Sequence, residues 1–205
     1  MKVLLLAAGR GARISRYLAG NPKCTVDIGG QKLIQYTIAG SGNNTYHRYV
    51  VENSVGASAW SNLYKQAANA DHMRQLAIRK EDPNYEAIAL TLRTLFLQNI
   101  ADLFGDVPCS EAFKGPSENV KQPVFDTQEQ VYRSLLADLE RANSLYDNSV
   151  ALSSATRDLL YKGDLTKWRK FTNSLYLRLL MRLSNRNAAV GVAAKIAEVF
   201  DNPDK

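Results

Sequence analysis

The sequence predicts a mainly α-helical protein built from antiparallel helix pairs, with one short strand-loop-helix segment at its start. From Ala59 onward, apolar residues recur every three or four positions, which is the spacing of amphipathic helices. Only residues 3–8 form a short apolar run typical of a buried strand, and Gly9-Arg-Gly11 ends that run before a predicted helix at residues 12–19. We therefore expect no sheet of more than two or three strands.

The first helix pair is predicted on either side of the turn Asp82-Pro83-Asn84. Before this turn, one helix face carries Trp60, Leu63, Tyr64, Ala67 and Ala70. After it, one helix face carries Ile88, Leu92, Leu95, Phe96, Asn99 and Leu103. Two helices joined by so short a turn are expected to lie antiparallel.

The later helices are predicted from caps and turns as well as from periodicity. Thr127 and Gln130 have the spacing of a capping box, which starts a helix. The inner face of that helix is predicted to be Val131, Leu135, Leu139, Ala142 and Leu145. A turn at Gly163-Asp164 precedes a helix over residues 165–184. That helix places together Trp168, Phe171, Leu175 and Leu179.

Two connecting regions complete the predicted fold. Residues 110–123 have the Gly, Pro, Ser and Lys content of an irregular surface loop, and a last weak helix is predicted at residues 188–200. Four or five amphipathic helices in antiparallel pairs are typical of a bundle or of a TPR-like solenoid. The spacing does not give a clean 34-residue repeat, so periodicity alone leaves both architectures open.

The opening segment has the pattern of an anion-binding site. A strand, a glycine turn and a helix N-terminus present unpaired backbone N–H groups to an anion. Gly9 and Gly11 would let the backbone approach a phosphate, Arg13 would add a charged fork and Lys23 a point charge. A glycine turn without any ligand is the simpler interpretation of these glycines alone.

The net charge of +6 is concentrated in the opening segment. Residues 1–45 carry six Lys or Arg and a single acid, Asp27, whereas residues 46–205 carry 20 basic and 19 acidic side chains. The basic charge therefore suits phosphate near the glycine loop, and it does not describe a general polyanion-binding surface. We expect no nucleic-acid binding.

Cysteine and histidine usage argues against a metal or disulfide framework. Cys24 and Cys109 are 85 positions apart, and the only histidines are His47 and His72. The apolar run at residues 3–8 is too short for a signal peptide or a membrane span, and no lipoprotein cysteine follows at the right place. As written, the chain is expected in the cytoplasm, with no transmembrane segment.

The opening segment resembles the N-terminal signature of sugar-phosphate nucleotidyltransferases. The similar string is L-A-A-G-x-G-x-R, then P-K, then G-x-x-L-I-x-Y, in that order. The resemblance implies that Gly9, Gly11, Arg13 and Lys23 bind the phosphates of a nucleoside triphosphate, with Mg²⁺ as cofactor. No metal-binding aspartate and no β–α alternation are recognisable after Ile38, so the catalytic domain is expected to be truncated.

From about residue 40, the chain resembles an internal part of the SusD/RagB outer-membrane nutrient-binding family. The similar strings are D-L-F-G-D-V-P-x-S-E-A from Asp102 and G-D-x-x-K-W-x-K-F-x-N-S-L-x-L-R-L-x-M-R from Gly163. The resemblance implies a TPR-like helical scaffold, no cofactor, and a surface lipoprotein that binds oligosaccharide or peptide fragments. It also implies delivery of these ligands to a TonB-dependent SusC-like transporter.

The leading interpretation is a chimera of a nucleotidyltransferase-like fragment, residues 1–38, and a SusD-like helical domain, residues 39–205, incomplete at its C-terminal end. An NDP-sugar pyrophosphorylase or cytidylyltransferase type of enzyme is the alternative function. A third interpretation treats the helices only as an interaction module. The SusD-like interpretation predicts binding of a ligand without chemistry on it.

Ligand-binding residues are not predicted within the helical part. Core packing is favoured over ligand contact for the aromatic residues Trp60, Phe96, Trp168 and Phe171. A solvated or partner-facing helix edge is predicted for Arg169, Lys170, Arg178 and Arg182. Asp102 and Asp106 are predicted to be turn and cap residues and not metal ligands.

Overall fold

A computed structural model of the chain describes residues 27–28, 31–32, 56–186 and 191–201. The chain divides into two compact units, Met1–Val55 and Gly56–Lys205. The predicted strand at residues 3–8 and the predicted helix at residues 12–19 lie outside the described residues.

In the first unit, the described residues form a short antiparallel hairpin. Strand β1 is Asp27–Ile28 and strand β2 is Gln31–Lys32. Asp27 pairs with Lys32, and Ile28 pairs with Gln31. This hairpin was not predicted from the sequence, although two consecutive glycines between short segments are a known hairpin signal.

The second unit is helical, as predicted. Its helices are α1 (Ala57–Arg79), α2 (Pro83–Phe104), the short α3 (Gly115–Glu118), α4 (Gln128–Leu145), α5 (Leu165–Arg182) and α6 (Val192–Phe200). Two short 3₁₀ turns lie at Ala155–Arg157 and Ser184–Arg186. Helix α1 packs on α2, α2 on α4, α4 on α5 and α5 on α6, with a smaller contact between α2 and α5. Neighbouring helix pairs therefore stack in chain order.

Capping residues, some of them predicted from the sequence, account for where the helices begin. Asp82 caps α2 by accepting a hydrogen bond from Tyr85 N at 3.0 Å, and Pro83 occupies the first turn. Thr127 and Gln130 form the predicted capping box at α4. Asp164 caps α5 by accepting from Lys167 N at 3.0 Å.

The predicted inner faces of α4 and α5 are confirmed. Val131, Leu135, Leu139 and Ala142 are fully buried, and Leu145 is partly buried. On α5, Trp168, Leu175 and Leu179 are buried, and Phe171 packs against the core cluster that contains Trp168. The core aromatic prediction is therefore correct for Trp168, and Trp60, Phe96 and Phe171 are partly buried against the two core clusters.

The predicted inner face of α2 was wrong in part. Leu103 is 62% exposed, and Leu92, Leu95, Phe96 and Asn99 are only partly buried. Ile88 is buried as predicted, and the other buried positions are Asn84, Glu86, Ala87, Ala89, Leu90, Thr91, Thr94, Leu97, Gln98, Ile100 and Ala101. Helix α2 contacts α1, α4 and α5, so most of its circumference is covered. Polar Thr91 and Gln98 enter this interior because each finds hydrogen-bond partners there.

Helix α2 is also the one described helix that is long and apolar enough to cross a membrane. In its most apolar window, 56% of the residues are buried inside the fold. Its low polarity is accounted for by its central position among α1, α4 and α5, as expected of a core helix.

Candidate functional site

The residues predicted to bind nucleotide phosphates, Gly9, Gly11, Arg13 and Lys23, lie outside the described residues. Their proposed role stays a prediction. A candidate site in the described part of the chain must therefore be built from the helical unit.

A polar cavity of about 580 Å³ lies where the C-terminal ends of α2 and α5 meet the N-terminal end of α4. Its lining residues are Asp102, Gln128, Glu129, Tyr132, Arg133, Arg182, Leu183 and Arg186. We call it the α2/α4/α5 cavity. Its volume falls within the range of about 300–1,000 Å³ that is usual for ligand pockets.

Helices α2 and α5 run parallel beside this cavity in a fixed register. The hydroxyls of Thr91 and Thr172 lie 2.8 Å apart in the buried part of the contact. Two turns further along both helices, Arg178 Nη2 donates to Gln98 Oε1 at 2.5 Å. One turn beyond that, the pair Arg182–Asp102 closes the contact. Each step moves about one or two helical turns along both helices together.

Asp102 is the centre of a hydrogen-bond network in the cavity wall. The hydroxyl of Tyr132 donates to its Oδ1 at 2.5 Å. Its Oδ2 accepts from Gln98 Nε2 at 2.6 Å and forms an ion pair with Arg182 Nη1 at 2.6 Å. Burial, and then the hydrogen bond to the Asp102 carboxylate, raises the pKa of Tyr132 to about 12. Tyr132 therefore stays protonated at neutral pH and holds the carboxylate in place.

The prediction for Asp102 is wrong, and the prediction for Arg178 and Arg182 is correct but incomplete. Asp102 is not a turn or cap residue: it lies in the last turn of α2 and joins three side chains from α2, α4 and α5. Arg178 and Arg182 are exposed, as predicted for a helix edge, but each also binds a polar side chain of α2. Sequence spacing alone did not show these partners because they lie about 80 residues away.

Asp106 has the cap role that the sequence predicted. Its Oδ1 accepts a hydrogen bond at 2.8 Å from Gln128 N, the first residue of α4. The chain reaches this position because Gly105 adopts a φ of 79°, which ends α2. Val107 and Asp126 then form a backbone bridge with hydrogen bonds of 3.1 and 3.2 Å.

The remaining charged residues of the cavity lie on its exposed side. Arg133 donates two hydrogen bonds to Glu129, from Nη2 at 2.7 Å and from Nε at 2.9 Å. Arg186, in the 3₁₀ turn after α5, is exposed. These groups give the cavity mouth fixed donors and acceptors beside open solvent.

A second, smaller cavity of about 330 Å³ lies between α4, α5 and α6. Glu140 accepts there from Tyr176 Oη at 2.6 Å and from Lys195 Nζ at 2.5 Å. Arg169, predicted as part of a solvated edge, is half-buried and lines this cavity, whereas Lys170 is exposed. Burial and the Glu140 carboxylate raise the pKa of Tyr176.

An aromatic cluster lies around the start of α1. The ring of Trp60 packs edge-on against Phe104, with centroids 5.0 Å apart, and nearly parallel to Phe125 at 6.3 Å. Tyr64 adjoins Trp60 at 4.7 Å and donates a hydrogen bond of 2.8 Å to Pro108 O. Phe125 is 64% exposed, so this cluster presents an apolar face to solvent.

Among residues 56–186 and 191–201, no three His, Cys, Asp or Glu side chains are grouped as a metal site would require. The arrangement found is thus a stack of helix pairs with a polar cavity at one end and aromatic rings near the surface. Such an arrangement defines a helical scaffold protein with a polar binding cavity.

The chain belongs to the SusD-like family described as "Starch-binding associating with outer membrane", which it matches over residues 14–204. The match begins within the segment that was assigned to a nucleotidyltransferase, and the comparisons do not support that origin or a chimera. The proposed boundary between residues 38 and 39 stays a prediction. A comparison with curated proteins finds none that matches this chain.

Solved structures show the same fold. A chitin-binding protein is 27% identical with a TM-score of 0.64, over 75% of this chain and 32% of that chain. A SusD homologue from Parabacteroides distasonis is 25% identical with a TM-score of 0.65, over 76% and 30% of the two chains. A SusD/RagB family protein from Bacteroides thetaiotaomicron is 25% identical with a TM-score of 0.62, over 81% and 33%. This chain therefore spans about a third of the length of these structures.

The cavity residues on α4, above all Gln128 and Tyr132, were not predicted from the sequence. One signal could have indicated the site: Arg178, Arg182 and Arg186 recur every fourth residue. Such spacing places the three guanidinium groups along one helix face. The partners of Arg178 and Arg182 on α2 could be assigned only once the parallel register of the two helices was known.

Proposed function

We propose that this chain is the helical part of a SusD-type nutrient-binding protein that acts at the outer membrane. The observation that carries the proposal is the family match over residues 14–204, together with the stacked helix pairs. Proteins of this family associate with the outer membrane. The ligand is an oligosaccharide or peptide fragment, and the partner is a TonB-dependent SusC-like transporter.

The geometry of the α2/α4/α5 cavity supports ligand binding. Its walls combine hydrogen-bond donors and acceptors from several helices, and the helices are held in register by buried contacts such as Thr91–Thr172. Asp102 accepts hydrogen bonds from three side chains, so its carboxylate orients its neighbours and is not poised to take a proton from a ligand. The cavity suits capture of a polar molecule.

The aromatic cluster supports a carbohydrate among the candidate ligands. One face of a pyranose ring is apolar and packs well on aromatic rings, while its hydroxyls need polar partners. Trp60, Phe104 and Phe125 supply such a surface within the same unit as the cavity. One structure with this fold is that of a chitin-binding protein.

The test is affinity electrophoresis of the 205-residue chain in native gels that contain a soluble polysaccharide. Starch, xylan, a soluble polymeric chitin derivative and pectin would cover neutral, amino-sugar and acidic glycans in the gels, and calorimetry with a casein hydrolysate would cover peptides. We expect retardation by at least one of these glycans relative to a non-binding reference protein of similar mobility, or heat of binding with the hydrolysate. Migration unchanged in every gel, with no heat from the hydrolysate, would contradict ligand binding by this part of the protein.

The transporter proposal has its own test. The tagged chain would be mixed with detergent-solubilised outer membranes from a Bacteroidetes strain that carries SusC-like transporters. Recovery of a TonB-dependent transporter with the tagged chain, and not with a tagged helical control protein, is the expected result. Equal recovery of the transporter with both proteins would contradict the proposal that a SusC-like transporter is the partner of this chain.

A further inference from the structure

Helices α2 and α5 run parallel, and polar residues on one helix pair with polar residues on the other at regular intervals. Gln98 binds Arg178, and one turn later Asp102 binds Arg182. The partners in each pair are 80 positions apart in sequence. The next residue on the α5 side is Arg186, and the same offset would place Asp106 opposite it. A third pair in this series would therefore be an ion pair between Arg186 and Asp106.

This third pair is not formed, because the Asp106 carboxylate binds the start of α4 instead. Helix α2 ends at Phe104, and the positive φ of Gly105 turns the chain away from the helix axis. The Asp106 carboxylate then accepts the hydrogen bond from Gln128 N at the start of α4. Within the part of the chain that the structure describes, no carboxylate pairs with Arg186.

The charge of the cavity follows from these pairings. Asp102 is balanced by Arg182, and Glu129 is balanced by Arg133. Arg186 remains as one guanidinium in excess at the cavity mouth. A guanidinium that lacks a carboxylate partner and lines a pocket is suited to an anionic group of a ligand, since its planar fork matches a carboxylate.

We propose that the α2/α4/α5 cavity binds the carboxylate of an acidic sugar, and that Arg186 is the residue that takes this carboxylate. Arg182, which forms the ion pair with Asp102, also lines this cavity and adds a second guanidinium. The sugar hydroxyls find acceptors on the Glu129 carboxylate and polar contact with Gln128. This inference names the substrate class of the cavity and rests on the proposed ligand-binding function.

The test compares three oligosaccharides by isothermal titration calorimetry with the full 205-residue chain. These are a tetragalacturonate, its fully methyl-esterified form, and maltotetraose as a neutral sugar. The Arg186→Gln variant removes the charge at the cavity, and Arg157→Gln removes the same charge from an exposed position in the other 3₁₀ turn. Both side chains are exposed, so neither variant is expected to unfold the helices.

We expect the tetragalacturonate to bind, with affinity that falls as salt is added. Arg186→Gln should weaken it by about tenfold or more, as for loss of a charge-assisted hydrogen-bonded pair, and Arg157→Gln should leave it unchanged. Equal weakening by both variants would show a diffuse charge effect and overturn the site. Equal affinity for the esterified form would overturn the carboxylate as the recognised group.

The two proposals can fail separately. Binding of maltotetraose without binding of the tetragalacturonate would overturn the acidic-sugar inference and leave the nutrient-binding function standing. Binding of the tetragalacturonate that Arg186→Gln does not change would place the ligand elsewhere on the chain. Absence of heat with all three sugars would overturn the acidic-sugar inference, and the broader panel of polysaccharides and peptides would then decide the proposed function.

Discussion

The indole nitrogen of Trp168 donates a hydrogen bond of 2.7 Å to Asp158 Oδ2. The same carboxylate accepts from three backbone amides of the loop before α5, Leu160 N at 2.9 Å, Tyr161 N at 3.2 Å and Gly163 N at 3.0 Å. Trp168 itself is buried and packs edge-on against the ring of Tyr161, with centroids 5.2 Å apart. Asp158 therefore fixes the loop to the first turn of α5.

Substitutions of Trp168 should separate the contribution of its ring packing to stability from that of its hydrogen bond to Asp158. We expect Trp168→Ala to lower the free energy of unfolding by about 3–5 kcal/mol, as for a large aromatic side chain removed from a core. Trp168→Phe keeps an aromatic ring but loses the donor to Asp158, and should cost about 1–3 kcal/mol. Urea unfolding followed by circular dichroism measures both. An equal cost for the two variants would show that the retained ring contributes nothing, and an unchanged stability of Trp168→Phe would show that the hydrogen bond contributes nothing.

The glycine in the same loop should be intolerant of a side chain. Gly163 has a φ of 84°, and an added Cβ would lie 2.4 Å from Ala155 Cβ. Gly191, with a φ of 68°, has no described residue within 4 Å of its added Cβ and serves as the matched control. We expect Gly191→Ala to cost about 1–2 kcal/mol for the backbone conformation alone. Gly163→Ala should cost about 1–3 kcal/mol more because of the clash.

Thermal or urea unfolding of the two glycine variants decides this prediction. A Gly163→Ala variant no less stable than Gly191→Ala would mean that the loop can move away from Ala155 without loss of stability. The fixed position of the loop relative to α5 would then be less important than the hydrogen bonds to Asp158 indicate.

Stability in acid should depend on Asp158. Burial of its carboxylate raises the pKa, but the hydrogen bonds from Gly163 N, Trp168 Nε1 and the other amides prevail and hold it below its ordinary value of 3.8. A carboxyl group with a lowered pKa in the folded state stabilises the fold above its unfolded pKa. This stabilisation is lost as the pH falls through the folded pKa. Asp158→Asn should therefore reduce the loss of stability between about pH 5 and pH 2.

Asp138 should affect the pH dependence of stability in the opposite direction from Asp158. Its burial raises the pKa, and the neighbouring Arg93, with which it forms an ion pair, only partly opposes this. The folded protein then binds a proton more readily at this site than the unfolded chain does, so Asp138 makes the fold less stable as the pH rises. Asp138→Asn should make the acid loss steeper. Urea unfolding at several pH values measures both slopes, and slopes that change in the same direction would contradict the assignment.

Most of the helical fold could be predicted from the sequence because its signals are local. The capping box at Thr127 and Gln130, the Asp82-Pro83 start of α2 and the apolar face of α4 each depend on neighbouring residues. The buried face of α2 was misjudged because a helix covered on several sides has no single apolar stripe. Thr91 is buried there since its hydroxyl finds Thr172 on another helix, which sequence periodicity does not report.

The candidate site was less predictable for the same physical reason. Its cavity depends on pairs such as Arg182–Asp102 that join residues 80 positions apart. A charged residue on a helix surface is usually solvated, so the sequence favoured a solvated edge for Arg182. Only the parallel packing of α2 and α5 shows that this arginine has a partner and that Arg186 has none among the described residues.

The helical unit should fold without residues 1–38. Both buried clusters, and the side chains packed against them, consist of residues from Trp60 onward in the part of the chain that the structure describes. The fragment 39–205 therefore contains these apolar contacts, and we expect it to keep its helical circular dichroism and a cooperative urea transition. The full chain is the control, and the two transitions should have midpoints that agree closely. If the fragment is unfolded while the full chain is helical, the opening segment contributes to the core and the predicted boundary after residue 38 is wrong.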